Sequence, residues 1–383
     1  MALSLQAIFD PTRERTDASP CGHEEPTFTF YDRCANGVIG LVRENLESWF
    51  SRYPSGNDRR DLLGRLRDPD RRQWCSAIWE LYIHESLLRF GFEVTPHPRL
   101  THTARRIDFL ATRGAERVFV ECVTLGYADE AAARRGRVGA LVAAIDRTRI
   151  FDFWLSLTIR AHGPDPIPTD VFVGELRSWV YALPIDEDAR SAAGRGRMAE
   201  FTWNHEGWRI WVGATPRSPG FRGRSDMRPL AGLPVDPDKD PTWVAIRGQL
   251  EAKAPAYGEL DAPFVIAVNA PGRWPDDEDE EWAVFGPYAF QSGWQRDGFL
   301  LRNDGVTYPG VSGVLVGTAI QEHSFTIRAP TLYENPACPR AVSGALGWAR
   351  IQVEGDAAVH VPGIDPAEMF GLPRGWPGVP WPH

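Results

Sequence analysis

The sequence predicts a mixed α/β (α+β) chain in which a central mixed sheet is flanked by helices. Three observations predict it. A long apolar helix pattern over 73–90 is followed at once by two short strand-like runs, about 106–112 and 117–125. Helix and strand patterns then recur down the chain, ending in apolar runs such as "PFVIAVNA" at 263–270. Between them, about 150–240, Trp and Ile alternate across a hairpin signal, which reads as an additional β-rich insertion.

The elements follow in order. Residues 1–35 mix polarity with Pro and Gly and read as irregular. Over 36–54, Val38, Leu41, Leu46 and Phe50 share a helical spacing. "SGNDRRDLLGRLRDPD" reads as a loop and a short basic helix, and 1–72 together as an N-terminal helical or irregular arm. In "QWCSAIWELYIHESLLRF" the apolar positions cover most of the circumference, so this helix is expected to be largely buried, with Gly91 ending it. A strand at 93–98 follows, and then the pair of runs joined at Arg113 and Gly114. A helix is expected over 129–147, a strand in "FDFWLSLTIRAH", and a helix over 170–182 after Thr169 or Asp170. A hairpin turning at His205–Gly207 comes next. A Gly/Pro/Asp-rich stretch leads to a helix over 242–257 and the strand 263–270. The core is thus expected over 73–330, and 331–383 reads as a Pro/Trp-rich tail of little periodicity.

Composition bounds function. At 383 residues, 43% hydrophobic and 24% charged, the chain has the make-up of a globular protein of one large or two smaller domains. No run approaches the ~18 apolar residues of a membrane span, no signal-peptide order opens the chain, and a cytoplasmic location is expected. Five cysteines without a C-x-x-C pair argue against a disulfide framework or zinc ribbon. The formal charge of −9 opposes non-specific coating of nucleic acid. It leaves room for local basic tracks: Arg59, Arg60, Arg65, Arg67, Arg71 and Arg72 in one segment, and Arg134, Arg135 and Arg137 in another. The plainer reading of both is a solvated helix face. Phosphate-binding and hydrolase-elbow glycine motifs are absent from the sequence.

The chemistry concentrates in "RRIDFLATRGAERVFVECVTL", residues 105–125. Adjacent strands joined by a short turn would bring Asp108 and Glu121 to one place. Glu121 is flanked by apolar strand residues, and a carboxylate so placed needs a partner or a metal to offset its desolvation. Lysine usage adds a second clue. Of 42 basic residues only Lys239 and Lys253 are lysine. Arginine cannot give up its proton in a protein, whereas lysine can act as a compact charge or a tunable acid. Lys239 lies in the linker-like "DPDKDP", whereas Lys253 lies on the expected helix "IRGQLEAKAPAYG".

Helix with Glu80, strand, strand with Asp108, strand with Glu121: in this order, "WELYIHESLLRFGFEVTPHP", "RRIDF" and "VECVTL" resemble the PD-(D/E)xK nuclease superfamily. With "KAPAYGELDAPFVIAVN" they also resemble a group of uncharacterised bacterial proteins. The resemblance implies a restriction-endonuclease-like core and a Mg²⁺- or Mn²⁺-dependent nuclease acting on nucleic acid, DNA favoured, in DNA processing or defence against foreign DNA. It is compatible with a homodimer. It implies that Asp108, Glu121 and the backbone carbonyl of Cys122 hold the metal, with Glu80 positioning a water. The lysine of the family's E-x-K would fall at 123, where this chain has Val123. The resemblance therefore moves the positive charge to Lys253, on a helix similar to the Q-L-x-x-Y-like helix of relatives, with Gln249 one turn earlier. Residues 126–240 would then be partly an insertion. Arg105 and Arg106 compete for that role and, with Arg134, Arg135 and Arg137, would touch nucleic acid. The rival reading is a catalytically decayed module of the same fold that binds nucleic acid or a protein. His84, His97 and His102 have no metal-ligand spacing, and Cys122 reads as an inert strand thiol.

Overall fold

The computed structural model describes residues 7–22, 25–125, 138, 140–163, 165–185, 198–224, 227–230, 242–271, 277–289, 293–294, 296–303, 308–342, 346–354 and 357–379. The chain divides into two compact units, one of residues 1–20, 26–126 and 240–383, the other of 21–25 and 127–239.

In the first unit, helices α1 (Thr27–Arg33), α2 (Gly37–Arg52), α3 (Asn57–Leu66) and α4 (Arg71–Arg89) precede the strands β1 (Glu93–Pro96), β2 (Phe109–Arg113) and β3 (Glu116–Thr124). The apolar pattern of α4 is realised as burial: Trp74, Ala77, Ile78, Trp79, Leu81 and Tyr82 are all covered. Asp70 caps its first turn by accepting from the Arg72 amide. Gly91 closes it at φ +83°, a conformation glycine adopts without Cβ strain. Gly114, at φ +60°, makes the tight β2–β3 turn. Removing the cap by Asp70→Ala should lower stability by about 1 kcal/mol, read from the urea midpoint.

The second unit holds β4 (Phe153–Ala161), α5 (Thr169–Tyr181), β5 (Ala199–His205) and β6 (Trp208–Pro216). Its strands form a three-stranded antiparallel sheet in the order β4-β6-β5. Its core joins Leu155, Leu157 and Ile159 with Trp203, Trp208, Ile210, Phe172 and Leu176. The hairpin expected at His205–Gly207 is present, with His205 opposite Trp208. Of the helix expected over 129–147, residues 138 and 140–146 are helical, Arg147 is a turn, and the others lie outside the described residues.

The first unit resumes with α6 (Thr242–Lys253), β7 (Phe264–Ala270), α7 (Asp277–Phe285), β8 (Tyr288–Ala289), β9 (Gly293–Trp294), β10 (Gly313–Thr318), β11 (Thr331–Glu334), β12 (Ala349–Glu354), β13 (Ala357–Val361) and α8 (Pro366–Phe370). Eight strands form one mixed sheet in the order β1-β2-β3-β7-β10-β11-β12-β13. Pairing is antiparallel from β1 to β3 and parallel across β3, β7 and β10.

Side-chain alternation divides the faces of this sheet. Phe119 and Val123 of β3 join Phe264, Ile266 and Val268 of β7 in a core that includes Ile246 and Leu250 of α6. On β7, Trp79 of α4 donates its indole N–H to the Ala267 carbonyl at 2.9 Å. Glu121 shares the parity of Phe119 and Val123, which directs its side chain to the α6 side.

Three expectations are corrected. The segment after Pro330, read as a Pro/Trp-rich tail of little periodicity, carries β11, β12 and β13, which complete the large sheet. Their alternations, such as Ala349 to Glu354, are only four to six residues long and sit among Pro, Gly and Trp, so composition hides them. Residues 1–35 include α1, whose "TFTFYDR" has poor helix propensity but buries Phe30 and Tyr31, packing that overrides propensity. The 242–257 helix ends at Lys253 and continues as turns. The tail, and the arm apart from residues 21–25, fall in the same compact unit as the sheet.

Candidate active site

The site lies where β2 begins and β3 passes its end. The last pair of the β2–β3 ladder is Phe109 with Val120, so the next step sets Asp108 beside Glu121. The Asp108 carbonyl is held by the His97 amide at 2.8 Å, which fixes the chain before β2 starts. Beyond Phe109 the strand partner is replaced by a side chain: the Cys122 amide donates to Asp108 Oδ2 at 2.6 Å. In a strand the N–H and C=O of one residue point to the same edge. The Cys122 carbonyl therefore faces the edge occupied by Asp108.

Glu121 is buried, its side chain only 4% exposed, and Lys253 reaches it from the last turn of α6. The Lys253 Nζ–Glu121 Oε1 distance is 2.6 Å. Among the described residues the second oxygen, Oε2, is buried without a hydrogen-bond partner. The Tyr257 hydroxyl also belongs to this environment. It donates to the Arg106 carbonyl at 3.2 Å, and burial followed by its interaction with Glu121 pushes its pKa up.

Glu80 is likewise buried, but both its oxygens are engaged. Tyr53 donates its hydroxyl to Oε1 at 2.8 Å, and the Arg65 guanidinium pairs with Oε2. Burial alone would lower the Arg65 pKa, yet Glu80 and Asp61 hold it raised. The Tyr53 hydroxyl is pushed the same way, by burial and then by the Glu80 charge. Asp108 feels all of these acids. Burial, then Glu121, then Glu80, hold its carboxyl well above the ordinary carboxylate range, against the opposing Cys122 amide and Lys253. A cation delivered to this spot would relieve that repulsion.

The expected residues thus divide. Asp108, Glu121 and Lys253 come together, and Glu80 acts on Asp108 through its charge. Gln249 is exposed on α6, and among the described residues no hydrogen bond joins it to the acids. Arg105 and Arg106 are exposed beside the site; Arg105 donates to the Ala256 carbonyl at 3.2 Å, and Arg106 lies 3.9 Å from Asp58. Arg134, Arg135, Arg137 and Lys239 lie outside the described residues. The Cys122 thiol is held well above its usual pKa by burial and by the neighbouring acids, so it stays protonated and unreactive. Of the three histidines, His97 Nδ1 stands 3.9 Å from Asp108 Oδ1, His102 Nε2 meets the Tyr257 carbonyl at 2.6 Å, and His84 is buried in α4.

Tyr53, Arg65 and Tyr257 complete the site and were not singled out by the sequence for it. Arg65 stood among six arginines whose plainer reading was a solvated face. Tyr257 carried the better signal, four residues beyond the lysine in "KAPAYG".

Among the described residues there is no group of three or more His, Cys, Asp or Glu side chains poised to hold a metal ion. None of the described helices is long and apolar enough to cross a membrane. Comparison with protein-family models, with curated proteins and with solved structures finds no match.

Proposed function

We propose that the protein is a metal-dependent nuclease of the PD-(D/E)xK type, with a restriction-endonuclease-like core, hydrolysing phosphodiester bonds with DNA as the favoured substrate. The observation that supports this most is Lys253 at 2.6 Å from Glu121, beside Asp108. A lysine from α6 stands where Val123 cannot act. The donor chemistry fits a hard divalent cation such as Mg²⁺ or Mn²⁺, which takes oxygen ligands and keeps several waters. Asp108, Glu121 and the Cys122 backbone carbonyl would hold such an ion, Asp108 Oδ2 being already taken by the Cys122 amide. When bound, the ion would polarise the phosphate and lower the pKa of the attacking water.

The chain's own residues do the rest. Lys253 sets a positive charge at the carboxylates, where a phosphate's developing negative charge would be stabilised. Tyr53 and Arg65 hold both oxygens of Glu80 and so fix it in one orientation. Arg105 and Arg106, exposed next to Asp108, are placed to meet a nucleic-acid backbone. The test is cleavage of single- and double-stranded DNA and of RNA with Mg²⁺ or Mn²⁺. Asp108→Ala and Glu121→Ala should each lower the rate by about 10³-fold or more. Equal cleavage by the wild type and both variants would remove the site. Val123 and the Tyr53–Arg65 hold on Glu80 favour the second reading, a non-cleaving module, which is what nucleic-acid binding without cleavage would establish.

A further inference from the structure

A concavity of about 610 Å³ opens at the other end of the β2–β3 hairpin, among Arg89, Phe90, Arg113, Trp348, Arg350 and Ile364. The five residues of β2 put it roughly 17 Å from Asp108 at about 3.3 Å per residue, so it is separate from the carboxylate site. None of the described side chains lining it is acidic. Its three guanidinium groups come from the end of α4, the hairpin turn and β12.

Their existing bonds show how much capacity remains. Arg113 is used most, giving Nε and Nη2 to Glu116 and Nη1 to the Phe90 carbonyl. Arg89 gives Nε to Glu85 and Nη1 to the Met369 carbonyl. Arg350 gives only Nη1, to Glu334 at 2.9 Å, although its side chain is just 20% exposed. Among the described residues its Nε and Nη2 have no partner, which leaves a pair of parallel donors. Such a fork matches two oxygens of a phosphate. The Glu334 contact holds the fork in place before any ligand arrives. The rest of the cavity is much larger than a phosphate. It is walled by the apolar Ile364 and, beneath it, the edge-to-face pair Phe90 and Trp348, ring centroids 4.9 Å apart.

We infer that this cavity binds a phosphate monoester carried on an organic body the size of a nucleoside, with Arg350 as the anchoring fork, Arg89 and Arg113 as flanking charges, and the Ile364 wall against the body. Two sources carry that chemistry, a free nucleoside monophosphate and the 5′-phosphorylated end of a nucleic-acid strand. A volume of several hundred Å³ with a few convergent polar groups is the usual form of a small-ligand site. The inference does not depend on the carboxylate site cleaving anything.

Calorimetric titration of the full-length protein in EDTA, which suppresses metal-dependent cleavage, tests it. The probes are AMP, UMP, inorganic phosphate, and a short DNA oligonucleotide with either a 5′-phosphate or a 5′-hydroxyl. Saturable binding is expected to AMP and UMP, or to the 5′-phosphorylated strand over its 5′-hydroxyl twin; which of the two binds names the source. Arg350→Ala should weaken that binding roughly 10- to 100-fold, the loss typical of a charge-assisted bond. Because Arg350 also pairs with Glu334, a second variant avoids the fold. Ile364 is exposed, so Ile364→Glu sets a carboxylate into the cavity without breaking an ion pair, and should weaken binding at least as much, whereas Ile364→Gln should stay within about threefold. No saturable binding to any nucleotide or 5′-phosphorylated strand, inorganic phosphate binding as tightly as AMP, or unchanged binding by Ile364→Glu would each overturn the assignment.

Discussion

Lys253→Met is expected to lower cleavage about 10²- to 10³-fold while leaving substrate binding within a few-fold. That range is the usual effect of deleting one positioned charge stabiliser. The physical reason is that Lys253 is spent on Glu121, not on a surface partner. Its Nζ lies 2.6 Å from a carboxylate that is 4% exposed, while its own side chain is 37% exposed. Part of the lysine side chain thus stays in solvent while its Nζ engages the acid. Methionine keeps the stem and removes the tip. Glu121 then keeps a buried charge with its Lys253 partner gone, so a stability loss accompanies the kinetic one, at about 1–3 kcal/mol given the solvent access at the lysine end. The double variant Lys253→Met/Glu121→Gln separates the two effects. Neutralising the stranded acid should return most of the stability, measured by urea unfolding, and none of the activity. Recovery of both together would mean that Lys253 is a structural counter-ion and not the charge that acts on the phosphate.

Lys253→Arg sharpens the same point. Arginine carries the charge but is planar, larger and permanently protonated. A variant that folds like wild type yet remains at least tenfold slower would place the demand on a compact ammonium. Full activity in Lys253→Arg would show that charge alone suffices and that Arg105 or Arg106 could have substituted for it.

The legible part of this molecule is the part whose signals are local. The α4 pattern, its Gly91 stop and the β2–β3 turn each lie within about 20 residues, and each was readable. Glu121 stood out because a carboxylate inside an apolar strand has few inexpensive explanations, and Asp108 because the adjoining run sets it opposite. Lys253 is 132 residues from Glu121, and no periodicity could connect them. It stood out only because lysine is so rare in this chain. Gln249, one helical turn away, had no such signal, and its exposure separates it from the acids. Arg65 and Tyr53 were missed for a related reason. Their value depends on α3 and the end of α2 meeting α4, and a sequence in which arginine is the default cation gives no reason to choose one of six. The strands β11 to β13 were missed because short alternations between prolines resemble coil until a neighbouring strand supplies their hydrogen bonds.

Acid should weaken the fold through His84 before its carboxylates explain the loss. His84 follows Glu80 by one turn of α4 and is 1% exposed. Its ring packs 4.7 Å from Tyr53 and 5.8 Å from Phe109, and neither ring nitrogen has a hydrogen-bond partner among the described residues. Burial, helped by the Arg52 charge, lowers its pKa from 6.5 to about 4. In the unfolded chain the imidazole takes a proton as pH falls through about 6.5, whereas in the folded chain it stays neutral until about 4. Between those values the unfolded state binds more protons, so stability is retained above 6.5 and drains as pH falls, by up to about 1.4 kcal/mol per pH unit and about 3 kcal/mol in total. Below about 4 this residue adds no further slope. His84→Phe keeps an aromatic ring against Tyr53 and Phe109 and removes two buried unpaired nitrogens, so its stability at pH 7 should stay within about 1 kcal/mol of wild type. Urea unfolding of both proteins from pH 7.5 to 4 measures the difference. The variant's curve should run flatter than wild type from 6.5 downward, with the gap growing steadily. Parallel curves would mean that the folded protein admits the proton, and that the space around His84, between Tyr53 and Phe109, is open to water and not sealed by α4.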